Sequence, residues 1–365
     1  MPNNKNLLAA GIAAALATLV TGCVSNAAKS GGGDSSAPVA AAVQAAAAPA
    51  PATAAPANNS GISVPVTAVN PEDLLDYNKT IVVPTAYVKF VVDGKVGVSK
   101  QGSALSTLGG GSANSVKASA KYHLSGLDKS LAQSIAKKAY DDFVGQLRAA
   151  GYTVLTWNDI KGRDYLQGIA LAKTDAKWGL PVESPVGSPD TLLVAAPSDE
   201  QQIKIGFTGP FSEFISMGKP KIKDATILIP TYTIVAPQIW GETGASYSTI
   251  SAGIQTAPGM NLQAASVTWM GKPKVRMMRG IPGVATKAPV LNISTNAGTL
   301  SKTDTTSNAA NALSKGLSLL SGAGSITSNS ADYTFTVNPA AYTSGAMKGI
   351  SAFNAEVAKV ARDAK

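Results

Sequence analysis

The alternation of strand and helix patterns between residues 81 and 172 restricts the possible folds of this chain more than any other feature. Residues 81–92 are rich in β-branched and aromatic side chains and predict a strand, in which Pro84 marks an edge or a bulge. Residues 127–147 carry apolar side chains at helical spacing, and Asp128 stands where a side chain can cap the first turn. A strand followed by an amphipathic helix is typical of a layered fold.

The same segment continues with a second strand and a second helix. Gly151 suits the left-handed position that ends a helix, and residues 152–157 follow at once as a strand. Asn158 or Asp159 then stands where it can cap a helix that extends to about Ala172. The resulting β-α-β-α order favours a sheet that carries helices.

The rest of the chain has mainly strand patterns. Helical periodicity predicts two further helices, over 309–320 and 340–364. Apolar and β-branched runs predict five further strands, at 192–195, 203–205, 225–235, 262–270 and 333–337. We interpret 225–270 as an antiparallel pair joined by the Gly-, Ser- and Thr-rich segment 241–261. The predicted fold class is α/β, a mixed twisted sheet flanked by helices, with α+β as the alternative.

The first 23 residues have the parts of a secretory leader. Lys5 supplies a positive charge, residues 7–20 form an apolar run too short to span a bilayer comfortably, and small residues precede Cys23. The segment resembles the lipobox of bacterial prolipoproteins, in which the cysteine is acylated and becomes the first mature residue. An ordinary secretory leader and an uncleaved membrane anchor are the two alternatives.

This resemblance implies where the protein works. Acyl chains on Cys23 would hold it on a membrane, because one chain binds reversibly and several bind lastingly. Val24 stands where an aspartate signals retention at the inner membrane, so the resemblance implies the outer membrane, facing the periplasm or the cell surface. Cys23 is the only cysteine, so the chain can form no disulfide within itself and its core must hold the fold.

A tether separates the leader from the folded part. Residues 24–60 consist largely of Ala, Pro, Gly and Ser, which cannot offset the entropy of ordering. A flexible chain of that length reaches about 30–35 Å. We therefore divide the chain into a signal peptide (1–22), a lipidated cysteine with a disordered tether (23–60) and a periplasmic body (61–365), in which 290–365 can form a smaller subdomain.

The order of elements supports one further comparison. It consists of the lipobox cysteine, the tether, a strand, a helix that ends in Leu-Arg-Ala-Ala-Gly-Tyr-Thr-Val, and a Gly-rich segment before a returning strand. This order is similar to the periplasmic α/β domain of curli-secretion-channel lipoproteins and related envelope-assembly lipoproteins, with only Cys23 matched by position. In that family the Gly-rich segment can extend into membrane-spanning hairpins of an oligomeric pore. The alternation through Ala245, Tyr247 and Thr249 is weaker than such a strand pair requires.

The chain offers few catalytic groups. His123 is its only histidine, so one chain cannot hold a site of two or more histidines, and no Gly-x-Ser-x-Gly motif accompanies it. Ser134 and Lys137 match a Ser-x-x-Lys pattern, but they lie within a predicted amphipathic helix and the companion motifs are absent. We expect no cofactor and no metal, and we interpret His123 as a loop or strand-end residue.

The charge distribution indicates the kind of partner. The formal net charge is +9, but the lysines are dispersed and only 6% of residues are aromatic, so nucleic-acid binding is not expected. One basic run stands out, formed by Lys272, Lys274, Arg276 and Arg279. It predicts either a contact with anionic lipid or an acidic partner, or an exposed strand in which charged and buried side chains alternate.

Two functions are compatible with these features. The first is a lipid-anchored, non-enzymatic scaffold or docking component of an outer-membrane assembly, with assembly proteins or further copies of this chain as partners. The second is a hydrolase that acts on cell-wall or other envelope substrates, with a Ser, Asp or Glu site assembled by the fold. The first is favoured, because the chain has an anchor and a tether and few catalytic groups.

Overall fold

A computed structural model describes residues 61–72, 80–101, 115–162, 170–185, 187–204, 225–245, 250–270, 282–304 and 326–364. Cys23, the tether, the basic run from Lys272 to Arg279 and the predicted helix 309–320 lie outside the described residues. No helix within the described ranges is both long and apolar enough to span a bilayer.

The described residues form fifteen strands and three helices. The strands are β1 (Val66–Val69), β2 (Thr80–Val82), β3 (Tyr87–Gln101), β4 (Ser115–Ser125), β5 (Thr153–Leu155), β6 (Val182–Glu183), β7 (Thr191–Ala195), β8 (Thr226–Val235), β9 (Gln238–Ala245), β10 (Ile250–Ala257), β11 (Met260–Met270), β12 (Gly283–Thr286), β13 (Val290–Ser294), β14 (Gly298–Asp304) and β15 (Ile326–Val337). The helices are α1 (Lys129–Ala149), α2 (Trp157–Ile160) and α3 (Pro339–Asp363).

Thirteen of these strands share one mixed sheet. Its main path runs β1-β12-β11-β8-β3-β4-β15-β14, and the remaining five strands join from the sides. β8 and β11 are antiparallel, which confirms the predicted pairing of 225–235 with 262–270. The polar segment between them contains the separate hairpin of β9 and β10. Because β3 is parallel to β8 and β15 is parallel to β4, the sheet is mixed, which confirms that part of the predicted fold class.

Helix cover is concentrated on one face of the sheet. The long helices α1 and α3 contact each other and share one apolar core with Phe90, Leu193 and Tyr232. The opposite face is covered at two places. At one, Ile160 of α2 packs with Ile227, and at the other the β9–β10 hairpin lies over β3 and β4. Strand therefore outweighs helix, and the helices form less of a layer than an α/β fold usually has.

Both predicted long helices are confirmed, and each has a side-chain cap, of which only that of Asp128 is predicted from the sequence. The side chain of Asp128 caps α1, because its Oδ1 accepts a hydrogen bond from the Leu131 backbone N–H at 2.7 Å. Gly151 follows α1 with a φ of 85°, the left-handed conformation that suits glycine. Asn338 caps α3 in the same way by accepting from the Ala341 backbone N–H at 3.1 Å.

The second predicted helix begins earlier than predicted, and its predicted end is wrong, because α2 ends at Ile160 and residues 170–172 are described and not helical. α2 begins after Thr156 instead of Asn158 or Asp159, because Asp159 accepts a hydrogen bond from the Thr156 backbone N–H at 2.7 Å in a capping box. Leu171 lies outside any helix and forms a single antiparallel bridge with Ile203. The predicted strand 203–205 is therefore reduced to this one bridge within the described residues.

A buried polar network joins the two long helices to the sheet. Oη of Tyr232 on β8 donates to Oδ1 of Asn354 on α3 at 2.7 Å, and Nδ2 of Asn354 donates to Oδ2 of Asp142 on α1 at 2.8 Å. Nε2 of Gln146 donates to the same oxygen of Asp142 at 2.9 Å. Tyr232 and Asn354 have no exposed surface, so these bonds satisfy groups that water cannot reach.

We expect Asn354→Leu to lower the free energy of unfolding by about 2 kcal/mol. Leucine keeps the volume but leaves the buried Tyr232 hydroxyl without its acceptor, and an unsatisfied buried group costs about 1–3 kcal/mol, whereas the half-buried Asp142 oxygen keeps its hydrogen bond from Gln146. Denaturant unfolding measures the loss. The double variant Tyr232→Phe/Asn354→Leu is the control and should recover part of it, because the orphaned hydroxyl is gone. A loss below about 1 kcal/mol would contradict this role.

Candidate functional site

A groove of about 400 Å³ crosses β3, β4 and β15. The residues that line it are Asp93, Gly94, Lys95, Lys121, Tyr122, His123, Pro189, Asp332, Tyr333 and Thr334. We refer to it as the His123 groove, because it holds the only histidine of the chain. Its polar side chains come from three strands that are distant in sequence and adjacent in the sheet.

Strand register places these polar side chains in two rows. The first row across the three strands consists of Asp93, His123 and Thr334. The second row, two residues along each strand, consists of Lys95, Lys121 and Asp332. Residues two apart on a strand share a face, so both rows lie on the same side of the sheet.

The first row contains a histidine–carboxylate pair. Nδ1 of His123 lies 2.6 Å from Oδ1 of Asp93, and both side chains are partly exposed. Because a carboxylate accepts hydrogen bonds, the pair places a proton on Nδ1 and leaves Nε2 for another partner. The His123 ring centroid also lies 6.5 Å from that of Trp178, which limits the space open to the imidazole on that side. The ring is therefore oriented by its neighbours.

A glycine accommodates the large aromatic residue of the groove. Gly94 is paired with Tyr122 in the sheet register, and a Cβ atom at Gly94 would overlap the Tyr122 ring. Tyr122 is almost fully buried, and this burial raises the pKa of its hydroxyl, with further contributions from the charges of Asp190 and Asp93. Because Tyr122 lies between Lys121 and His123 on β4, its ring points to the face opposite the two polar rows, where it packs with Ile239 and Ile254 of the β9–β10 hairpin.

The second row carries an unusual pair of like charges. Lys95 and Lys121 are exposed and directly opposite each other on antiparallel strands, an arrangement that destabilises a sheet. Across the described part of the chain, neither lysine forms an ion pair, whereas Lys89 lies 2.6 Å from Glu183. Positive charge is thus left available at the groove.

The described residues do not complete a catalytic site of a known kind. Among the described residues no serine or cysteine lines the groove, and no hydrogen bond joins Thr334 to His123. No group of three His, Cys, Asp or Glu side chains that could hold a metal ion occurs within the described ranges. Ser134 and Lys137 are exposed on α1, where Lys137 donates to Asp141 at 2.6 Å, so the Ser-x-x-Lys match lies on a solvated helix face.

The groove lies beside β14, which is an edge strand of the sheet as far as the described residues show. β14 pairs with β15 on one side and with no other described strand, so the edge is seven residues long, about 23 Å. The opposite end of the main path is β1, which has four residues. The unpaired N–H and C=O groups of an edge strand can bind a strand from another chain.

Sequence reasoning placed His123 at a loop or strand end, and the structure places it near the end of β4. It missed the partners of His123, because Asp93 is 30 residues away and the third strand of the groove is more distant still. The available signal was the two-residue spacing of polar side chains at Asp93 and Lys95 and again at Lys121 and His123.

Comparison with known proteins gives no further assignment. No family model matches the chain, and no curated protein or solved structure matches it significantly. The lipoprotein leader and the likeness to curli-secretion-channel lipoproteins therefore stay predictions from the sequence.

Proposed function

We propose that this chain is a lipid-anchored, non-enzymatic docking component of an assembly at the bacterial outer membrane. Cys23 would carry the acyl chains, and residues 24–60 would tether the body. A tether of this length lets the body search about 30–35 Å from the membrane. The body would face the periplasm, with the cell surface as the alternative orientation.

The open edge at β14 supports this proposal most directly. A partner that presents an extended segment can extend the sheet there by pairing with the outward backbone groups of β14. The partner is an assembly protein or another copy of this chain. Main-chain pairing of this kind needs no catalytic residues, which agrees with the incomplete set of groups in the His123 groove.

Affinity purification of the full-length chain from detergent-solubilised outer membranes tests the proposal. We expect a stoichiometric partner or a homo-oligomer. A monomer that copurifies with nothing would contradict it.

Two adjacent proline substitutions test whether β14 is the docking edge. Successive N–H groups of a strand point to opposite sides, so one of Leu300→Pro and Ser301→Pro removes a donor to β15 and the other an outward donor. The variant that keeps the native unfolding midpoint should lose the partner, and the alanine variant at the same position, which keeps the N–H, is its control. Retention of the partner by that proline variant would exclude β14 as the edge.

One observation favours the hydrolase as a second candidate. Asp93, His123 and Thr334 follow one another across three strands in the order acid, base and hydroxyl. Turnover of a cell-wall or ester substrate by the purified chain, lost in His123→Asn, would favour this candidate over docking. We expect no such turnover, because the Thr334 hydroxyl has no hydrogen bond to His123.

A further inference from the structure

We infer that the His123 groove binds a phosphate ester that carries free hydroxyl groups, such as a sugar phosphate or a glycerol phosphate headgroup. This inference is independent of docking at β14, because it concerns the side chains of β3, β4 and β15 and not the backbone edge. It accounts for three features that the fold itself does not require.

The first feature is the pair of opposed lysines. Lys95 and Lys121 are directly opposite on neighbouring strands, where Cα atoms lie about 4.5–5.5 Å apart. Two long ammonium side chains at this spacing can reach one phosphate group together. A bound dianion would also remove the repulsion between the lysines, which no described carboxylate neutralises through an ion pair.

The second feature is the oriented imidazole. Asp93 holds Nδ1 of His123, so Nε2 is left to bind a ligand and its ring position is fixed before the ligand arrives. A neutral ring accepts a hydrogen bond from a hydroxyl group at Nε2, and a protonated ring donates one there to a phosphate oxygen. His123 can therefore contact either part of a hydroxylated phosphate ester.

The third feature is the carboxylate beside the lysines. Asp332 is paired with Lys121 in the sheet register and lines the same groove. A carboxylate accepts hydrogen bonds from hydroxyl groups and repels a second anionic group. Asp332 would thus select a ligand with one phosphate and neighbouring hydroxyls over a polyanion, and the Thr334 hydroxyl offers one more contact.

The size of the groove agrees with a ligand of this class. Small-molecule sites in proteins usually have volumes of about 300–1,000 Å³. The His123 groove, at about 400 Å³, is at the lower end of this range and suits one sugar or glycerol unit with its phosphate. A long polysaccharide or a whole lipid would extend beyond it.

Calorimetric titration of the full-length chain in detergent with glucose 6-phosphate tests the inference. We expect Lys95→Met and Lys121→Met each to weaken binding about tenfold or more, because each removes one charge-assisted hydrogen bond. Lys138→Met is the matched control: it removes one exposed lysine from α1, outside the groove, and should bind as the native chain does. The inference would be overturned if Lys95→Met, Lys121→Met and Lys138→Met bound glucose 6-phosphate with equal affinity. It would also be overturned if the native chain bound neither glucose 6-phosphate nor inorganic phosphate nor the vesicles described below.

The hydroxyl part of the ligand is tested separately. Glucose 6-phosphate should bind more tightly than inorganic phosphate, and Asp332→Asn should reduce this preference while leaving inorganic phosphate bound. If the native chain binds both probes equally and Asp332→Asn changes nothing, the groove is a simple anion site and the hydroxyl part of the inference is wrong. Circular dichroism of each variant confirms that it is folded.

A binding experiment with lipid vesicles distinguishes a membrane headgroup from a soluble ester as the ligand. The chain with Cys23→Ala, which has no acyl attachment site, is mixed with phosphatidylcholine vesicles with and without phosphatidylglycerol. Binding that needs phosphatidylglycerol and is lost in Lys121→Met identifies a membrane headgroup as the ligand. Binding of glucose 6-phosphate alone identifies a soluble ester.

Discussion

Replacing Cys23 with alanine is expected to move the protein from the membrane fraction to the soluble fraction after a salt wash. Each buried methylene of an acyl chain contributes about 0.8 kcal/mol, so the loss of two or three chains removes essentially all membrane affinity. Cell fractionation followed by immunodetection measures the change. The effect should be close to all or none once the leader is removed, because one chain binds reversibly and several bind lastingly.

A neighbouring substitution is the matched control for this experiment. Val24→Asp leaves Cys23 in place and introduces the residue that retains lipoproteins at the inner membrane. It should therefore stay in the membrane fraction but move from the outer to the inner membrane. Mass spectrometry of the native protein should find an acylated amino terminus at Cys23. Persistence of the Cys23→Ala protein on salt-washed membranes, with its leader removed, would contradict the lipid anchor.

Strong alkali is expected to unfold the body at a pH at which many proteins remain folded. Burial raises the pKa of six described tyrosines above the ordinary value of 10, and the rise is large for five of them: Tyr87, Tyr122, Tyr140, Tyr232 and Tyr342. For Tyr140, whose hydroxyl donates to the Val83 carbonyl at 2.8 Å, the pKa rises to about 12. The cause is common to all five, because a phenolate would have to form away from water.

The sign of the pH dependence follows from these directions. Below about pH 10 tyrosine is neutral in both states, and its contribution to stability is fully present. As the pH rises from 10 towards the raised pKa of the folded state, only the unfolded chain loses protons, so the free energy of unfolding falls by about 1.4 kcal/mol per tyrosine per pH unit. For the five tyrosines with large rises in pKa, the free energy of unfolding falls by about 7 kcal/mol in total at pH 11. This loss is comparable with the whole stability of a typical domain.

Denaturant titrations between pH 8 and 11 measure this loss, and one substitution controls for its origin. The Tyr342 hydroxyl is buried and has no hydrogen-bond partner among the described residues, so Tyr342→Phe should cost little at neutral pH. The same variant should reduce the slope of stability against pH by about one fifth above pH 10. If the unfolding midpoint of the native chain stayed constant up to pH 11, ionisation of the buried tyrosines would be ruled out as a cause of unfolding.

The parts of the fold that could be predicted are those that depend on local chemistry. α1 and α3 have long amphipathic periodicity and a capping Asp128 or Asn338, and both form nearly where the sequence predicts them. The strand predicted at 81–92 is divided instead, because Pro84 lies between β2 and β3 and proline cannot donate to a ladder. The end predicted for the second helix, near Ala172, is wrong because the backbone at Leu171 pairs with Ile203, a contact that depends on the tertiary fold.

The site could not be predicted for a related reason. His123 has ordinary neighbours in sequence, and its role depends on Asp93 and on Thr334, which reach it through the register of three strands. Asp142 likewise lies in the amphipathic run 127–147, and nothing in its sequence neighbourhood indicates that it accepts hydrogen bonds from Asn354 and Gln146. Periodicity shows which face of an element a residue occupies, but not which distant residue is placed opposite it.

The hairpin of β9 and β10 has a consequence for how this body could vary. Val235 at the end of β8 is directly paired with Asn261 near the start of β11, so the chain leaves the large sheet and returns to it at the same pair of residues. A tight turn can therefore replace the hairpin without shifting the β8–β11 register. The hairpin is thus an optional insert as far as connectivity is concerned. It is not optional for solubility, since Ala120 and Tyr122 lie beneath it and its removal would expose them to water.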